Sequence, residues 1–320
     1  MLNFKKVILA FSALIAFTNN AALATDFKFA DVETGIKILT ADDEYLTAMK
    51  PIEIALRVGS PTADKTIDDL KAHYAANVIP WPEAEKALLK ALIVTHKKKL
   101  AKIAHLLPDE VYFIKVTDEI EGGVPHTRGN AFISPARRTS LSTKLFFHQI
   151  FHIISRHNRV KRASLYKLIN FRPCYFQPTE DVDKYSVRNP EAPFTEFFVP
   201  VEIDDRDTYV MTHLHTTHDG FDASIERGFD GHISADLLEV TVDKGICKPV
   251  IKADGSPSIY KHEDVPDFYE QVGHNTNFDY HPEEIIADNF AFLMMRKRDL
   301  IDPDIPRDIE DWLDIDIRSR

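Results

Sequence analysis

The segment from Leu141 to His157 constrains the fold more than any other, because it combines many Phe, Ile and Leu residues with two histidines four positions apart. Residues at this spacing lie one turn apart on the same face of a helix, so the imidazoles of His148 and His152 can reach one metal ion. Polar groups on a helix that is buried on most sides also need partners. The sequence therefore predicts a buried helix, beginning near Ser140 or Ser142, that carries two metal ligands.

A third ligand is predicted in the segment 281–290, which is rich in carboxylates. Glu284 and Asp288 are four residues apart on a face that also carries the small residue Ala287, so Glu284 can bind the ion and leave a fourth position for water. Asp288 can orient a ligating histidine through the free N–H of its ring. Glu283 points about a third of a turn away and is less suited to binding the ion. The alternative is an ordinary acidic helix N-terminus, which the helix dipole favours.

The periodicity of the chain predicts an α+β fold with two units. Residues 25–107 have helical patterns and form a helical N-terminal subdomain. Residues 108–320 form the metal-binding domain, with strands at 111–116 and 128–134, the histidine helix, a β-rich insertion at about 175–260 and C-terminal helices. The expected core of this domain is a small sheet beside the histidine helix.

The first 24 residues predict a signal peptide. Lys5 and Lys6 precede an apolar run from 7 to 17, and Ala22-Leu23-Ala24 provides small residues for cleavage. The run is too short to span a bilayer. We therefore expect an exported protein, periplasmic or secreted, with no stable membrane anchor.

Charge and cysteine content limit the partners and the redox state. The formal net charge of −11 argues against nucleic acid as a partner, because binding phosphate requires clustered Lys and Arg. Two cysteines are present, Cys174 and Cys247. In an oxidising compartment they can form one disulfide, but two buried thiols are equally ordinary.

Together, the histidine and carboxylate segments resemble the gluzincin clan of zinc metallopeptidases, to which thermolysin belongs. His148 and His152 match the paired ligands, Glu284 matches the downstream ligand, and Asp288 matches the carboxylate that supports a histidine. The resemblance covers only about residues 112–157 and 280–295. It implies a zincin-like core, bound Zn²⁺ and a peptide or protein as substrate or partner.

A third short motif adds to this resemblance. Asn130-Ala131-Phe132 looks like the Asn-Ala-Phe of the clan's edge strand, which pairs with a bound peptide. The resemblance implies that substrate adds along this strand, with Arg128 holding a carboxylate or carbonyl group. The chain is also similar to an uncharacterised family of exported bacterial metallopeptidase-like proteins, in the segments 127–131, 171–174 and 281–290.

One position departs from the clan, because Gln149 stands where the resemblance leads us to expect the general base Glu. An amide cannot accept a proton, and general-base catalysis typically contributes about 10²–10⁴ in rate. Glu283 would replace it only if the site had an unusual geometry. Two functions remain open: a zinc metallopeptidase-type hydrolase with attenuated activity, and an inactive pseudo-peptidase that binds a peptide or protein. A third interpretation is a protein without metal, in which the histidines are incidental.

Other polar residues offer weaker predictions. Tyr280 and His281 could hydrogen-bond an oxyanion near the metal, or could form a packing cluster at the entry of the carboxylate helix. His213, His215 and His218 could form a second metal site, or could simply be exposed histidines of a β-rich loop.

Overall fold

The computed structural model describes residues 25–317 and combines helices with two β-sheets, a mixed α/β architecture that agrees with the predicted class at this level. The predicted signal peptide, residues 1–24, lies outside the described residues. Within residues 25–317, no helix is long and apolar enough to cross a membrane.

The first sheet has four strands in the order β1-β2-β4-β3. Its strands are β1 (Asp26–Phe29), β2 (Glu110–Val116), β3 (His126–Arg128) and β4 (Ala131–Pro135). β2 pairs in parallel with β1 and β4, whereas β3 runs antiparallel to β4. The predicted strand 128–134 is interrupted at Gly129, whose φ of +55° lies in the left-handed region that favours glycine. The turn at residues 129–130 therefore folds β3 back along β4 and makes β3 the edge of the sheet.

Six helices accompany this sheet: α1 (Val32–Leu39), α2 (Glu44–Ala48), α3 (Pro51–Val58), α4 (Ile67–Ala76), α5 (Glu83–Thr95) and α6 (Lys97–Ile103). Alternate residues of β2 face opposite sides, as expected for a strand. Ile114 and Val116 belong to a core shared with Leu39 and Leu70 of α1 and α4, whereas Phe113 belongs to a second core that includes α7. The predicted helical subdomain, residues 25–107, thus contributes a strand and shares both cores with later residues.

The remaining helices are α7 (Thr143–His157), α8 (Arg162–Tyr166), α9 (Glu180–Tyr185), α10 (Pro266–Val272), α11 (Pro282–Met295) and α12 (Asp304–Trp312). Ser142 is the N-cap of α7, and its hydroxyl accepts a hydrogen bond from the backbone N–H of Leu145. α7 packs along α11, with the rings of Phe151 and Phe290 5.4 Å apart between centroids. This packing holds the predicted histidine and carboxylate segments side by side.

The second sheet is formed by the predicted insertion. Its strands are β5 (Arg172–Pro173), β6 (Tyr175–Phe176), β7 (Phe197–Ile203), β8 (Arg206–His215), β9 (Ser234–Asp243), β10 (Ile246–Pro249) and β11 (Ile259–Tyr260). They follow the order β5-β7-β8-β9-β10-β6, and β11 pairs with β9. Cys174 and Cys247 form a disulfide with their Cα atoms 5.9 Å apart. This bond settles the choice between a disulfide and free thiols, and is compatible with export.

The disulfide closes a loop of 73 residues, so its loss is expected to destabilise the protein. A Cys174→Ala/Cys247→Ala variant should lose about 2–4 kcal/mol of unfolding free energy, because the unlinked unfolded chain has more conformational freedom. Urea denaturation of wild type and variant, both without reductant, measures the difference. Equal midpoints and slopes would contradict the prediction.

Candidate metal centre

Three side chains from α7 and α11, those of His148, His152 and Glu284, converge in the interior and form what we call the metal group. The Nε2 atoms of His148 and His152 lie 3.1 Å and 3.4 Å from the same oxygen, Oε2 of Glu284. All three residues are buried, and their ligand atoms lie within 4.8 Å of one another. Among the described residues, this is the only group of three or more His, Cys, Asp or Glu side chains that could hold a metal ion. The two histidines come from successive turns of one helix, and the carboxylate comes from the neighbouring helix.

The other ring nitrogens face two different carboxylates. Nδ1 of His148 lies 2.8 Å from Oδ1 of Asp288, and Nδ1 of His152 lies 3.0 Å from Oε1 of Glu283. A carboxylate accepts the Nδ1–H and so leaves the lone pair of Nε2 free to bind a metal. Nε2 of His152 is buried without a hydrogen-bond partner among the described residues. Such an atom is costly unless it binds something, and a metal ion would satisfy it.

Glu283 is fully buried and engaged on both oxygens, a role the sequence analysis did not assign to it. Besides His152, its carboxylate accepts hydrogen bonds from Ser155, at 2.8 Å, and from the hydroxyl of Tyr166. Burial alone would raise its pKa, but Arg162 and His152 lower the pKa to about 2. Glu283 also lies outside the lining of the cavity described below. It is therefore a partner of His152 and is not placed to replace the missing base.

The carboxylate and the imidazoles of the metal group shift each other's pKa values. Burial lowers the pKa of His152, but the carboxylates of Glu191 and Glu284 outweigh it and raise the pKa well above its ordinary value. Conversely, burial raises the pKa of Glu284, but His152 and His148 bring it well below the usual range. In the metal-free group, these shifts favour a protonated imidazole beside an ionised carboxylate. Metal binding requires neutral imidazoles, so an ion would displace this proton.

A loop before β7 also reaches the group. Nδ2 of Asn189 donates to Oε1 of Glu284 at 2.7 Å, which leaves Oε2 facing the imidazoles. Oδ1 of Asn189 accepts the backbone N–H of Glu191, and the Glu191 carboxylate accepts the backbone N–H of Thr127 at 2.8 Å. Arg156 lies 3.3 Å from the same carboxylate. These residues tie the insertion to β3 and α7, and no motif in the sequence marks them.

A cavity of about 540 Å³ opens beside the group. His148, Gln149, Tyr280 and Glu284 line it, together with apolar side chains, among them Val124, Leu145, Val187, Leu214, Phe229 and Phe278. Its volume is typical of sites for small ligands or short peptides. Gln149 is 4% exposed, and its Oε1 has no hydrogen-bond partner among the described residues. At the position where a general base was expected, an amide therefore faces the cavity, and its oxygen has no hydrogen-bond partner among the described residues.

The predicted substrate-binding residues lie elsewhere. β4, which begins with Ala131, is an interior strand paired with β2 and β3, so it has no free edge for a peptide. Arg128 is buried: its Nε lies 2.7 Å from Asp43, and its guanidinium stacks on Tyr45. Asn130 donates from its amide to the backbone of the neighbouring strand β2. None of the three predicted residues lines the cavity, so the structure gives no support to their assignment to substrate binding.

The structure separates the two oxyanion candidates. Tyr280 lines the cavity, and burial together with Glu284 raises the pKa of its hydroxyl well above the ordinary value. His281 is instead the N-cap of α11: its Nδ1 accepts the backbone N–H of Glu283 at 3.0 Å. Burial lowers the pKa of His281 to about 4, so the ring stays neutral and can accept this bond. His281 does not line the cavity, and its capping bond favours the alternative interpretation, a cluster at the entry of the carboxylate helix.

The histidines of the insertion do not form a second metal group within residues 25–317. His213 stacks on His215, with ring centroids 5.2 Å apart, and His215 pairs with Asp236. His218 instead packs against His232.

Comparison of the chain with protein-family models, curated proteins and solved structures gives no match, so the geometry of the metal group is the basis for assigning a function.

Proposed function

We propose that this chain binds zinc through His148, His152 and Glu284 and is an exported, metallopeptidase-type hydrolase of the gluzincin kind with attenuated activity. One observation carries the proposal: two Nε2 atoms and one carboxylate oxygen converge, while separate carboxylates hold both Nδ1 atoms. Two imidazoles and a carboxylate suit zinc, whose catalytic sites keep three protein ligands and one open position. The adjoining cavity provides space for a peptide.

The arrangement of the elements supports a zincin-like core. α7, which carries the histidines, lies against the edge strand β3, where Arg156 donates to the backbone carbonyl of Gly129 at 2.9 Å. The carboxylate ligand comes from a second helix, α11, after a long insertion. When bound, zinc would polarise a carbonyl group and make a water more acidic. The hydroxyl of Tyr280, which lines the cavity, could donate to an oxyanion.

A second function, binding without hydrolysis, is favoured by Gln149. The amide cannot take up a proton, and Glu283 is held by His152, Ser155 and Tyr166, so neither side chain can act as the base. In this alternative, the chain is a pseudo-peptidase that retains zinc and the cavity to bind a peptide or protein partner.

Zinc quantification on purified protein tests the proposal. Wild type should contain about one zinc per chain, because three ligands converge at one point. His148→Ala should lose it, whereas His157→Ala should retain it, since His157 is an exposed residue at the end of the same helix. Circular dichroism checks that all three proteins are folded. Wild type without zinc, after incubation with zinc and removal of the excess, would refute both functions.

A further inference from the structure

The lining of the cavity differs in charge from the rest of the molecule. Five cationic and five acidic side chains line the cavity, whereas the whole chain has a net charge of −11. The cations are Arg57, Arg138, Lys144, Arg188 and Arg227, and the acids are Glu121, Glu191, Asp230, Glu284 and Asp288. A divalent ion in the metal group would give this lining a net positive charge. An anionic ligand would therefore be attracted to the cavity.

Most of the acidic side chains that line the cavity already form ion pairs. Glu121 pairs with Arg57 at 3.0 Å, and Glu191 lies 3.3 Å from Arg156. Asp288 lies 2.8 Å from both His148 and Lys144. Glu284 belongs to the metal group, and Asp230, in the wall formed by residues 228–232, forms no ion pair within residues 25–317. Of the five acids of the lining, Asp230 is thus the one that has neither a cationic partner among the described residues nor a place in the metal group.

Gln149 affects the charge of the cavity at the open position of the metal. A Glu at position 149 would place a negative charge next to the open position of the metal and would repel a carboxylate there. The amide of Gln149 is uncharged and lines the cavity. Its N–H₂ group can donate to an oxygen of a bound carboxylate. The substitution that removes the base therefore also removes a barrier to an anionic ligand.

Two further cations could hold additional acidic groups. Arg138 and Arg227 line the cavity, and neither guanidinium forms an ion pair with a carboxylate of residues 25–317. Apolar side chains, including Leu145 and Phe278, form other parts of the wall. The lining thus suits a ligand that is partly apolar and carries negative charge.

We propose that the cavity binds peptides through a free carboxylate, which occupies the open position of the zinc site and accepts a hydrogen bond from the Gln149 amide. The inference rests on the proposed zinc binding and goes beyond it by naming the ligand class. Such a ligand is either the C-terminus of a peptide or the product of a cleavage.

Calorimetric titration of the zinc-loaded protein tests this proposal. The probes are N-acetyl-leucyl-leucine with a free carboxylate and the same compound as its C-terminal amide; acetylation prevents the amine from chelating zinc. The acid should bind about 10- to 100-fold more tightly than the amide, the range expected for hydrogen bonds to a charged group. Gln149→Glu should abolish this preference, and Gln149→Leu, which removes the donor without adding charge, should reduce it less.

Zinc content measured on the same samples separates the two proposals. A protein that contains zinc but binds the acid and the amide equally would overturn the carboxylate proposal and leave zinc binding intact. Equal preference for the acid in wild type and Gln149→Glu would overturn the role of Gln149. A protein without zinc would refute both proposals.

Discussion

Replacing Gln149 by Glu is expected to raise the hydrolysis of peptides by about 10²–10⁴ without changing the zinc content, because the variant regains a general base beside the open position of the metal. Gln149 already lines the cavity on the same helix as both histidines, so the new carboxylate would lie next to the reacting groups. A fluorescence-quenched peptide mixture, assayed with and without a chelator, measures the gain.

Two controls make this result specific. Gln177→Glu adds the same charge at an exposed position outside the cavity and should leave activity unchanged. A His148→Ala/Gln149→Glu variant should be inactive, since it lacks a ligand. If the Gln149→Glu protein is folded and fully loaded with zinc but no more active than wild type, the hydrolase interpretation fails and the binding interpretation remains.

Replacing Glu283 by Ala is expected to destabilise the metal-free protein by about 3–5 kcal/mol, the cost of leaving buried partners of an ion pair unmatched. The carboxylate is fully buried among His152, Ser155, Tyr166 and Arg162, and each would lose its acceptor or counter-charge. Zinc affinity should also fall about 10- to 100-fold, because the Nδ1 atom of His152 would no longer be held. Urea denaturation with a chelator present measures the stability, and competition with a chromophoric chelator measures the affinity.

The stability difference between wild type and Glu283→Ala depends on pH, because the pKa of Glu283 is depressed in the folded protein. Glu283 titrates near pH 2 in the folded protein, below its ordinary value of 4.5. The contribution of Glu283 to the free energy of unfolding is therefore complete above about pH 4.5 and declines as the pH falls towards 2. Glu33→Ala, at an exposed position on α1, is the matched control and should change stability by no more than about 0.5 kcal/mol. A loss for Glu283→Ala as small as this would show that the buried network does not contribute to stability.

The sequence predicted those features of the metal group that lie within a single helix. Two histidines four apart in an apolar helix must share a face, and Glu284 and Asp288 must do so for the same reason. Which carboxylate meets which imidazole depends on how α7 lies along α11. Glu283 meets His152 through this packing, which helical spacing alone does not describe.

The corrected predictions have a different physical origin. The strand predicted at 128–134 matched a familiar motif, but Gly129 with positive φ turns the chain and adds β3 outside β4. The peptide-binding assignment finds no support in the structure, because the free edge of a sheet depends on which strands pair, not on the residues of one strand. Asn189 and Glu191 reach the site from a loop 95 and 64 residues distant from the residues they contact, Glu284 and Thr127. Such contacts leave no local signal.

The distance along the chain between α7 and α11 has a consequence for folding. His148 and Glu284 are 136 residues apart, so an ion held by both would act as a cross-link that closes a very long loop. At a free zinc concentration 100 times the dissociation constant, this link would add about 2.7 kcal/mol to the folded state. The cross-link can form only after α11 has been synthesised and docked, so zinc uptake would report that α11 has reached its place beside α7.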